Sequence, residues 1–210
     1  SAVAAATAAG LLDGGNGRLL VFDLGGTSLD VAVLDGEGEP LASHVDRGLG
    51  AETWGGRVAD MLIRRFQAES GLDLRTDDQA LQRVTEAAQT AVEQLSALEE
   101  TAVSLPFIGA GAQGPLHLAI QVSRGDLARE AEGLIDRCHS AIRQATRLLP
   151  EIPEKSGRFE RVLLIGGGTL IPTIAEVIDA TYAERETVAG GDSPGLVARG
   201  AAMMAAGVPA

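Results

Sequence analysis

The stretch LLVFDLGGTSLDVAVL, residues Leu19–Leu34, limits which architecture the rest of the chain can adopt. An apolar run ends at Asp23, a turn with two glycines follows, and a second apolar run alternates from Leu29. This pattern predicts a β-hairpin with an acidic residue at the end of its first strand. Backbone N–H groups in such a turn attract anions, and the carboxylate beside them can hold a cation against a phosphate. An ordinary tight hairpin is the alternative, because one glycine-rich turn is a weak signal.

The composition narrows the classes of protein to consider. A net charge of −12 over 210 residues argues against nonspecific binding to nucleic acid or to an anionic membrane surface. No apolar stretch is long enough to span a bilayer. The single cysteine, Cys138, rules out an internal disulfide and fits a reducing compartment, expected to be the cytoplasm. It lies in an apolar helical pattern, which predicts that it is a core residue. His44, His117 and His139 lack the spacing of metal ligands.

After the opening hairpin, the sequence predicts a third strand at Leu41–Val45 and then a separate α+β unit. Helical spacing of apolar residues begins at Glu52 and ends near Ser70, and a second helix follows it. Two strand candidates, Val103–Ile108 and Leu116–Val122, flank a segment with three glycines and a proline. We expect that segment, Gly109 to Pro115, to be the turn of a hairpin.

A second glycine-rich turn, Gly166–Thr169, directly follows the apolar strand Arg161–Ile165 and precedes a helix. A strand, glycines and a helix N-terminus in this order suit a phosphate or a nucleotide, because the helix dipole and the free N–H groups point at the ligand. The same order also occurs wherever a strand turns sharply into a packed helix. Neither the GxxxxGK(S/T) phosphate loop nor the GxGxxG dinucleotide fingerprint is present.

Two glycine-rich turns lie far apart in the sequence, and each leaves an apolar strand. This arrangement predicts an α/β fold with a discontinuous core. We expect the core subdomain to comprise residues 1–49 and 123–210, and the inserted subdomain to comprise residues 50–122. The third helix is expected to begin at Ser123, because Asp126 three residues later completes a capping box.

Eight segments, taken in order, resemble the DnaK (heat shock protein 70) chaperone family within the actin-like ATPase superfamily. They are Asp23–Asp30 (DLGGTSLD), Leu49–Glu52 (LGAE), Gly71–Arg75 (GLDLR), Leu81–Ser96, Leu105–Ile108 (LPFI), Gly114–Leu118, Leu164–Pro172 (LIGGGTLIP) and Gly200–Ala202 (GAA). Each segment is weak by itself. Their common order and spacing make the resemblance specific, and it covers nearly the whole chain.

The resemblance implies an actin-like ATPase, ribonuclease H-like lobe that carries an inserted helical-plus-hairpin subdomain. In family terms this is lobe II of the nucleotide-binding domain, with subdomains IIA and IIB. ATP or ADP with Mg²⁺ would bind in a cleft completed by lobe I of the same protein, and hydrolysis of ATP to ADP is the implied reaction. This chain alone is expected to be inactive. The implied partners are a nucleotide-exchange protein or co-chaperone, and the implied context is the stress response.

The resemblance also assigns roles to single residues. Asp23 would act in catalysis and position the magnesium–water shell, and Asp30 would support it. The residues implied to bind the nucleotide are Gly25, Gly26, Thr27, Ser96, Gly166, Gly167 and Gly168.

The chain departs from the family pattern at residues implied to contact the phosphates and at residues implied to contact the ribose and the base. Thr27 replaces a third glycine in the first turn, and Leu170 replaces an arginine that stacks on adenine. Gln89, Val92 and Glu93 replace the acidic and basic residues that hold the ribose and the base. A second hypothesis therefore stays open: a degenerate pseudo-ATPase that serves as a scaffold or protein-interaction module without nucleotide binding.

A third hypothesis is a sugar-kinase or hydantoinase-like enzyme of the same superfamily. It rests on the resemblance of Asp23–Asp30 to the DxGGT motifs of those enzymes. The hairpin predicted after Leu105 argues against it, as does the position of the motif, which those families carry near the start of the domain.

Overall fold

The structure, a computed structural model, describes residues 2–12, 14, 17–147, 149, 159–182, 186–189 and 193–206. Its helices are α1 (Ala2–Ala8), α2 (Ala51–Ser70), α3 (Asp78–Leu95), α4 (Arg124–Thr146), α5 (Pro172–Tyr182) and α6 (Ser193–Ala205). Its strands are β1 (Leu19–Leu24), β2 (Leu29–Leu34), β3 (Pro40–Asp46), β4 (Glu100–Gly111), β5 (Gly114–Ser123), β6 (Arg161–Ile165) and β7 (Glu186–Ala189). The expected mixed α/β fold class is confirmed.

The chain divides into two compact units. The first comprises Ser1–Ala51, Asp136–Thr169 and Ile174–Ala210, and the second comprises Glu52–Ile135 and Leu170–Thr173. Helix α4 contributes its first half to the second unit and its second half to the first. The subdomain boundaries at 50 and 122, which follow from the sequence pattern, stay a prediction.

The first unit contains a five-stranded mixed sheet with the strand order β3-β2-β1-β6-β7. The predicted hairpin and the third strand after it are confirmed, since β1, β2 and β3 pair antiparallel in sequence order. Strand β6 joins β1 in parallel, and β7 joins β6 in parallel. Five of the six residues of β1 are buried, as expected for an apolar strand at the centre of a sheet. Strand β7 was not predicted.

One face of this sheet is covered by apolar residues of the terminal helices. Ala5 and Ala6 of α1 and Leu196 of α6 form a cluster with Val21 and Ile165 of the sheet. The two helices pack so closely that a Cβ added to Gly200 of α6 would overlap the Ala4 carbonyl group.

The second unit combines two long helices with a two-stranded antiparallel hairpin, β4 and β5. Asp77 caps α3, because its carboxylate accepts the N–H groups of Gln79 and Ala80. The apolar stripe of α3 is buried, and this helix packs against β4. The register of the hairpin shifts between Leu105 and Gly109.

The prediction of a long turn from Gly109 to Pro115 is wrong. The strands continue to Gly111 and resume at Gly114, so the turn is short. Gly109 lies within β4, where an added Cβ would come within 2.5 Å of a terminal methyl group of Leu72. Pro115 pairs with Ala110 in a two-stranded sheet, where both strands are edges that accept proline.

The predicted capping box at the start of α4 is confirmed. The Ser123 N–H group donates to Asp126 at 3.0 Å, and the Asp126 N–H group donates to the Ser123 hydroxyl at 3.1 Å. Burial raises the pKa of Asp126, but the Ser123 donors and the Arg65 guanidinium outweigh burial and lower it overall. The Asp126 carboxylate thus both caps the helix and binds Arg65.

Cys138 is a core residue, as predicted. Its side chain is fully buried in the first unit. Burial raises the pKa of the thiol to about 12, so the reactive thiolate is absent at neutral pH. None of the helices traced in the described part of the chain combines the length and apolarity needed to cross a membrane.

Candidate functional site

Two carboxylates meet on neighbouring strands of the first unit. Asp23 near the end of β1 lies directly opposite Asp30 near the start of β2. Residues directly opposite in an antiparallel pair project from the same face, with Cβ atoms roughly 4.5–5.5 Å apart. Two carboxylates in this position can offer oxygen ligands to one cation bound between them. The hairpin predicted from Leu19–Leu34 creates this pair, because its tight turn sets the register.

The turn between these two strands is short and open. The Gly25 N–H group donates to the Ser28 carbonyl at 2.9 Å and closes the turn. The Ser28 hydroxyl donates to Asp30 at 3.0 Å, which orients that carboxylate. Gly26 and Thr27 at the tip are exposed. A Cβ at Gly25 would meet only the Ser28 carbonyl oxygen, at 3.6 Å, which leaves the backbone approachable.

The second glycine-rich turn lies beside the first carboxylate. Because β6 runs parallel to β1, with Ile165 paired to Asp23, both strands end at the same edge of the sheet. Gly166 has a φ of 87°, and one Asp23 carboxylate oxygen lies 2.9 Å from where its Cβ would be. The Thr169 hydroxyl and N–H group donate to the Gly166 carbonyl at 2.7 Å and 3.0 Å and close this turn.

The glycines of the second turn differ in their surroundings. Gly168 is buried, and a Cβ there would lie 2.5 Å from the Leu24 side chain. Gly167 is exposed and has open space around it. The first unit thus brings together one pair of carboxylates and two glycine-rich turns at one edge of its sheet.

Oxygen ligands of this kind suit a hard divalent cation such as Mg²⁺. Among the described residues, no three His, Cys, Asp or Glu side chains form a cluster that could hold an ion alone. A cation at the Asp23–Asp30 pair would therefore need further oxygen ligands from water or from a phosphate, which is how Mg²⁺ is usually bound in proteins. The donor set fits the ion that the sequence resemblance implies.

The remaining candidate residues lie in the second unit. Ser96 ends α3, is exposed, and donates its hydroxyl to the Glu93 carbonyl at 2.7 Å. Val92 is buried in the apolar stripe of α3, and Glu93 is exposed. Leu170 is 59% exposed.

Gln89 has a structural contact that the sequence pattern did not indicate. Its side-chain amide donates to the Glu52 carbonyl in the first turn of α2 at 3.0 Å. The same side chain covers Gly55, where an added Cβ would overlap it. Gln89 therefore ties α3 to α2 within the second unit. Local sequence patterns cannot predict this contact, because the two residues are 37 positions apart.

Comparison with known proteins gives concordant results. A family model described as Hsp70 protein matches residues 1–208. The chaperone protein DnaK of Prochlorococcus marinus (strain MIT 9515) is 39% identical over 178 residues, which are 83% of this chain and 28% of that protein. The chain thus spans little more than a quarter of the length of this curated relative.

Proposed function

The chain belongs to the Hsp70 family, and from this premise we propose that its first unit binds the phosphates of ATP or ADP together with Mg²⁺. The binding cleft would be completed by lobe I of the same protein. The observation that carries the proposal is the Asp23–Asp30 pair, which shares a sheet edge with both glycine-rich turns. In the complete protein, this site would serve a chaperone ATPase that works with a nucleotide-exchange protein or co-chaperone.

Each part of the site would have a separate task. Asp23 and Asp30 would hold Mg²⁺ through its water shell, and the ion would neutralise charge on the phosphate oxygens. The exposed backbone at Gly26 and Thr27 would approach the phosphates. Gly166, Gly167 and Gly168 would lie beneath the adenosine, and Ser96 would contact the nucleotide. Hydrolysis in such a site depends on positioning and on electrostatic stabilisation of the transferred phosphoryl group.

A second function, a pseudo-ATPase scaffold without nucleotide binding, is favoured by the second unit. Val92 and Gln89 carry no charge to offer a ribose or a base, and in addition Val92 is buried and the Gln89 amide donates to α2. Leu170 offers no guanidinium for stacking. Each lost charged contact would cost about 1.5–3 kcal/mol of binding free energy. Membership of the Hsp70 family decides against the sugar-kinase or hydantoinase-like alternative.

Calorimetric titration separates the two functions. We would titrate Mg·ATP, Mg·ADP and magnesium tripolyphosphate into the protein as its gene encodes it. If the protein binds the phosphates but makes only weak contacts to the adenosine, tripolyphosphate should bind nearly as tightly as ATP. Heat from none of the three would leave the scaffold function standing and overturn the proposed one.

The matched variants are Asp23→Asn and Asp35→Asn. Asp23→Asn should weaken Mg·ADP binding about 10- to 100-fold, by loss of a charged partner. Asp35 follows β2 at the opposite end of that strand, where its carboxylate accepts the N–H groups of Glu37 and Glu39. Asparagine keeps an acceptor there, so Asp35→Asn should leave Mg·ADP affinity unchanged. Equal losses in both variants would count against a site at Asp23.

A further inference from the structure

An ion pair of the first unit lies outside the residues assigned so far. Asp46, the last residue of β3, accepts from Arg137 of α4 through both carboxylate oxygens. The Arg137 Nη2 group lies 2.8 Å and 2.9 Å from the two oxygens, and Nε lies 3.3 Å from one of them. Two-point contact of this kind fixes the orientation of both groups, which a single contact would not do. The partners are 91 positions apart in the sequence.

Asp46 also shapes the chain that follows it. Its carboxylate accepts the Gly48 N–H group at 3.0 Å, and its carbonyl accepts the Leu49 N–H group at 3.4 Å. Leu49 is fully buried. The Arg137 guanidinium lies 3.4 Å from the position of a Cβ at Gly48, so it covers the turn as well. The segment from Asp46 to Leu49 is therefore held by the ion pair, by its own hydrogen bonds and by an apolar anchor.

The two residues that follow this segment, Gly50 and Ala51, contact the first glycine-rich turn. The Ala51 N–H group donates to the Gly25 carbonyl at 2.9 Å. Gly50 packs so closely that an added Cβ would overlap the Gly26 carbonyl and the Thr27 nitrogen. Gly50 and Ala51 thus pack against the backbone from Gly25 to Thr27, while the tip of the turn stays exposed.

We propose that the Asp46–Arg137 ion pair is a positioning device for the turn from Gly25 to Ser28 and thereby sets its affinity for phosphate. This inference rests on the proposed function, because it assigns a role within the same site. Neither residue touches the ligand. The pair acts through the segment that carries Gly50 and Ala51. Placement matters at such a site, since in catalysis a shift on the order of 1 Å can cost about 100-fold in rate.

The test compares two ion pairs of similar exposure. The Arg64–Glu130 pair of the second unit has a 2.7 Å contact and a carboxylate that is 24% exposed, as is that of Asp46. Arg137→Ala should weaken Mg·ADP binding about tenfold. Arg64→Ala should not change Mg·ADP affinity. Arg137→Lys keeps the charge but loses the two-point contact, so it should rescue affinity only in part.

A second readout does not depend on nucleotide. Exchange of the Ala51 amide hydrogen with solvent reports directly on its bond to Gly25. Arg137→Ala should speed that exchange, whereas Arg64→Ala should leave it unchanged. Equal exchange rates and equal Mg·ADP affinities in the two alanine variants would overturn the positioning role. If the unaltered protein binds no nucleotide, the proposed function fails, and the exchange rate alone then decides whether the ion pair holds the turn.

Discussion

The two glycine-rich turns of the first unit look alike in sequence but are under different physical constraints. Gly25 lies outside the left-handed region, and a Cβ there would make only an ordinary contact with the Ser28 carbonyl oxygen. Gly166 has a φ of 87°, and a Cβ there would overlap the Leu24 carbonyl. The fold therefore demands glycine at 166 and does not demand it at 25.

The difference shows what a glycine-rich turn can and cannot reveal. At Gly166 the residue type is explained by packing against β1, with or without a ligand. At Gly25 the packing within the chain leaves room for a side chain, so the absence of one needs another reason. Close approach of a phosphate to the backbone is the reason that the proposed function supplies. Variants at the two turns should therefore separate stability from binding.

Gly166→Ala is expected to have the largest effect. The left-handed backbone costs a non-glycine residue about 1–2 kcal/mol, and overlap with the Leu24 carbonyl adds an overpacking cost of about 1–3 kcal/mol. Cys138 supplies the measurement, because it is the single cysteine, is buried in the first unit and reacts only when that unit opens. The rate of thiol labelling should rise steeply in Gly166→Ala.

Gly167→Ala is the control for this experiment. Gly167 belongs to the same turn, has open space around it and lacks a positive φ. The rate of Cys138 labelling in Gly167→Ala should match that of the unaltered protein. Similar rates in the two alanine variants would contradict the packing explanation.

Gly50→Ala should be the next most damaging change. Its Cβ would overlap the Gly26 carbonyl and the Thr27 nitrogen, at an overpacking cost of about 1–3 kcal/mol without any left-handed strain. The variant should label faster at Cys138 than the unaltered protein and slower than Gly166→Ala. A labelling rate at the unaltered level would mean that the first turn moves aside freely, and that Gly50 does not hold it.

Local signals in the sequence were sufficient for much of this site. The apolar runs of Leu19–Leu34 predicted the hairpin and the position of Asp23 at the end of its first strand, whereas the pairing of Asp23 with Asp30 is seen in the structure. The apolar run Arg161–Ile165 before three glycines indicated the second turn. Both depend on neighbours within a few residues, which is the range over which periodicity and turn chemistry act.

Contacts between distant residues could not be predicted in this way. The Asp46–Arg137 pair and the Gln89–Glu52 bond join positions that are 91 and 37 residues apart. Strand β7 has four residues and no apolar alternation long enough to recognise. The glycine at 109 indicated a turn, although in the structure it lies within β4 and close to the Leu72 side chain. In each case the deciding partner is remote in sequence.

Protonation of Asp46 at acidic pH should lower the stability of the first unit slightly. Burial raises the pKa of Asp46, but the Gly48 N–H group and Arg137 outweigh burial and hold it below the ordinary value of 3.8. The ionised form is thus favoured in the folded state, so its stabilisation is present above pH 3.8 and is lost as pH falls through the lowered pKa. The loss should be at most about 1 kcal/mol, because Arg137 is 42% exposed.

The Gly48 amide proton shift is the direct measure of this titration. Its midpoint should lie below 3.8 and move up towards that value in Arg137→Ala. The second turn offers the contrast, since the bonds that close it, from Thr169 to the Gly166 carbonyl, contain no titrating group. An unchanged midpoint in the variant would show that Arg137 does not lower this pKa.

Gly25→Ala should have the smallest effect on stability and still affect binding. An alanine whose conformation the native backbone already accepts stabilises by about 0.4–1 kcal/mol, because it restricts the unfolded chain. Labelling of Cys138 should therefore stay at or slightly below the rate of the unaltered protein. Mg·ADP affinity should nevertheless fall about tenfold, since the methyl group would lie where a phosphate approaches the backbone. Unchanged affinity together with unchanged stability would remove the functional reason for glycine at 25, and the two turns would then differ only in packing.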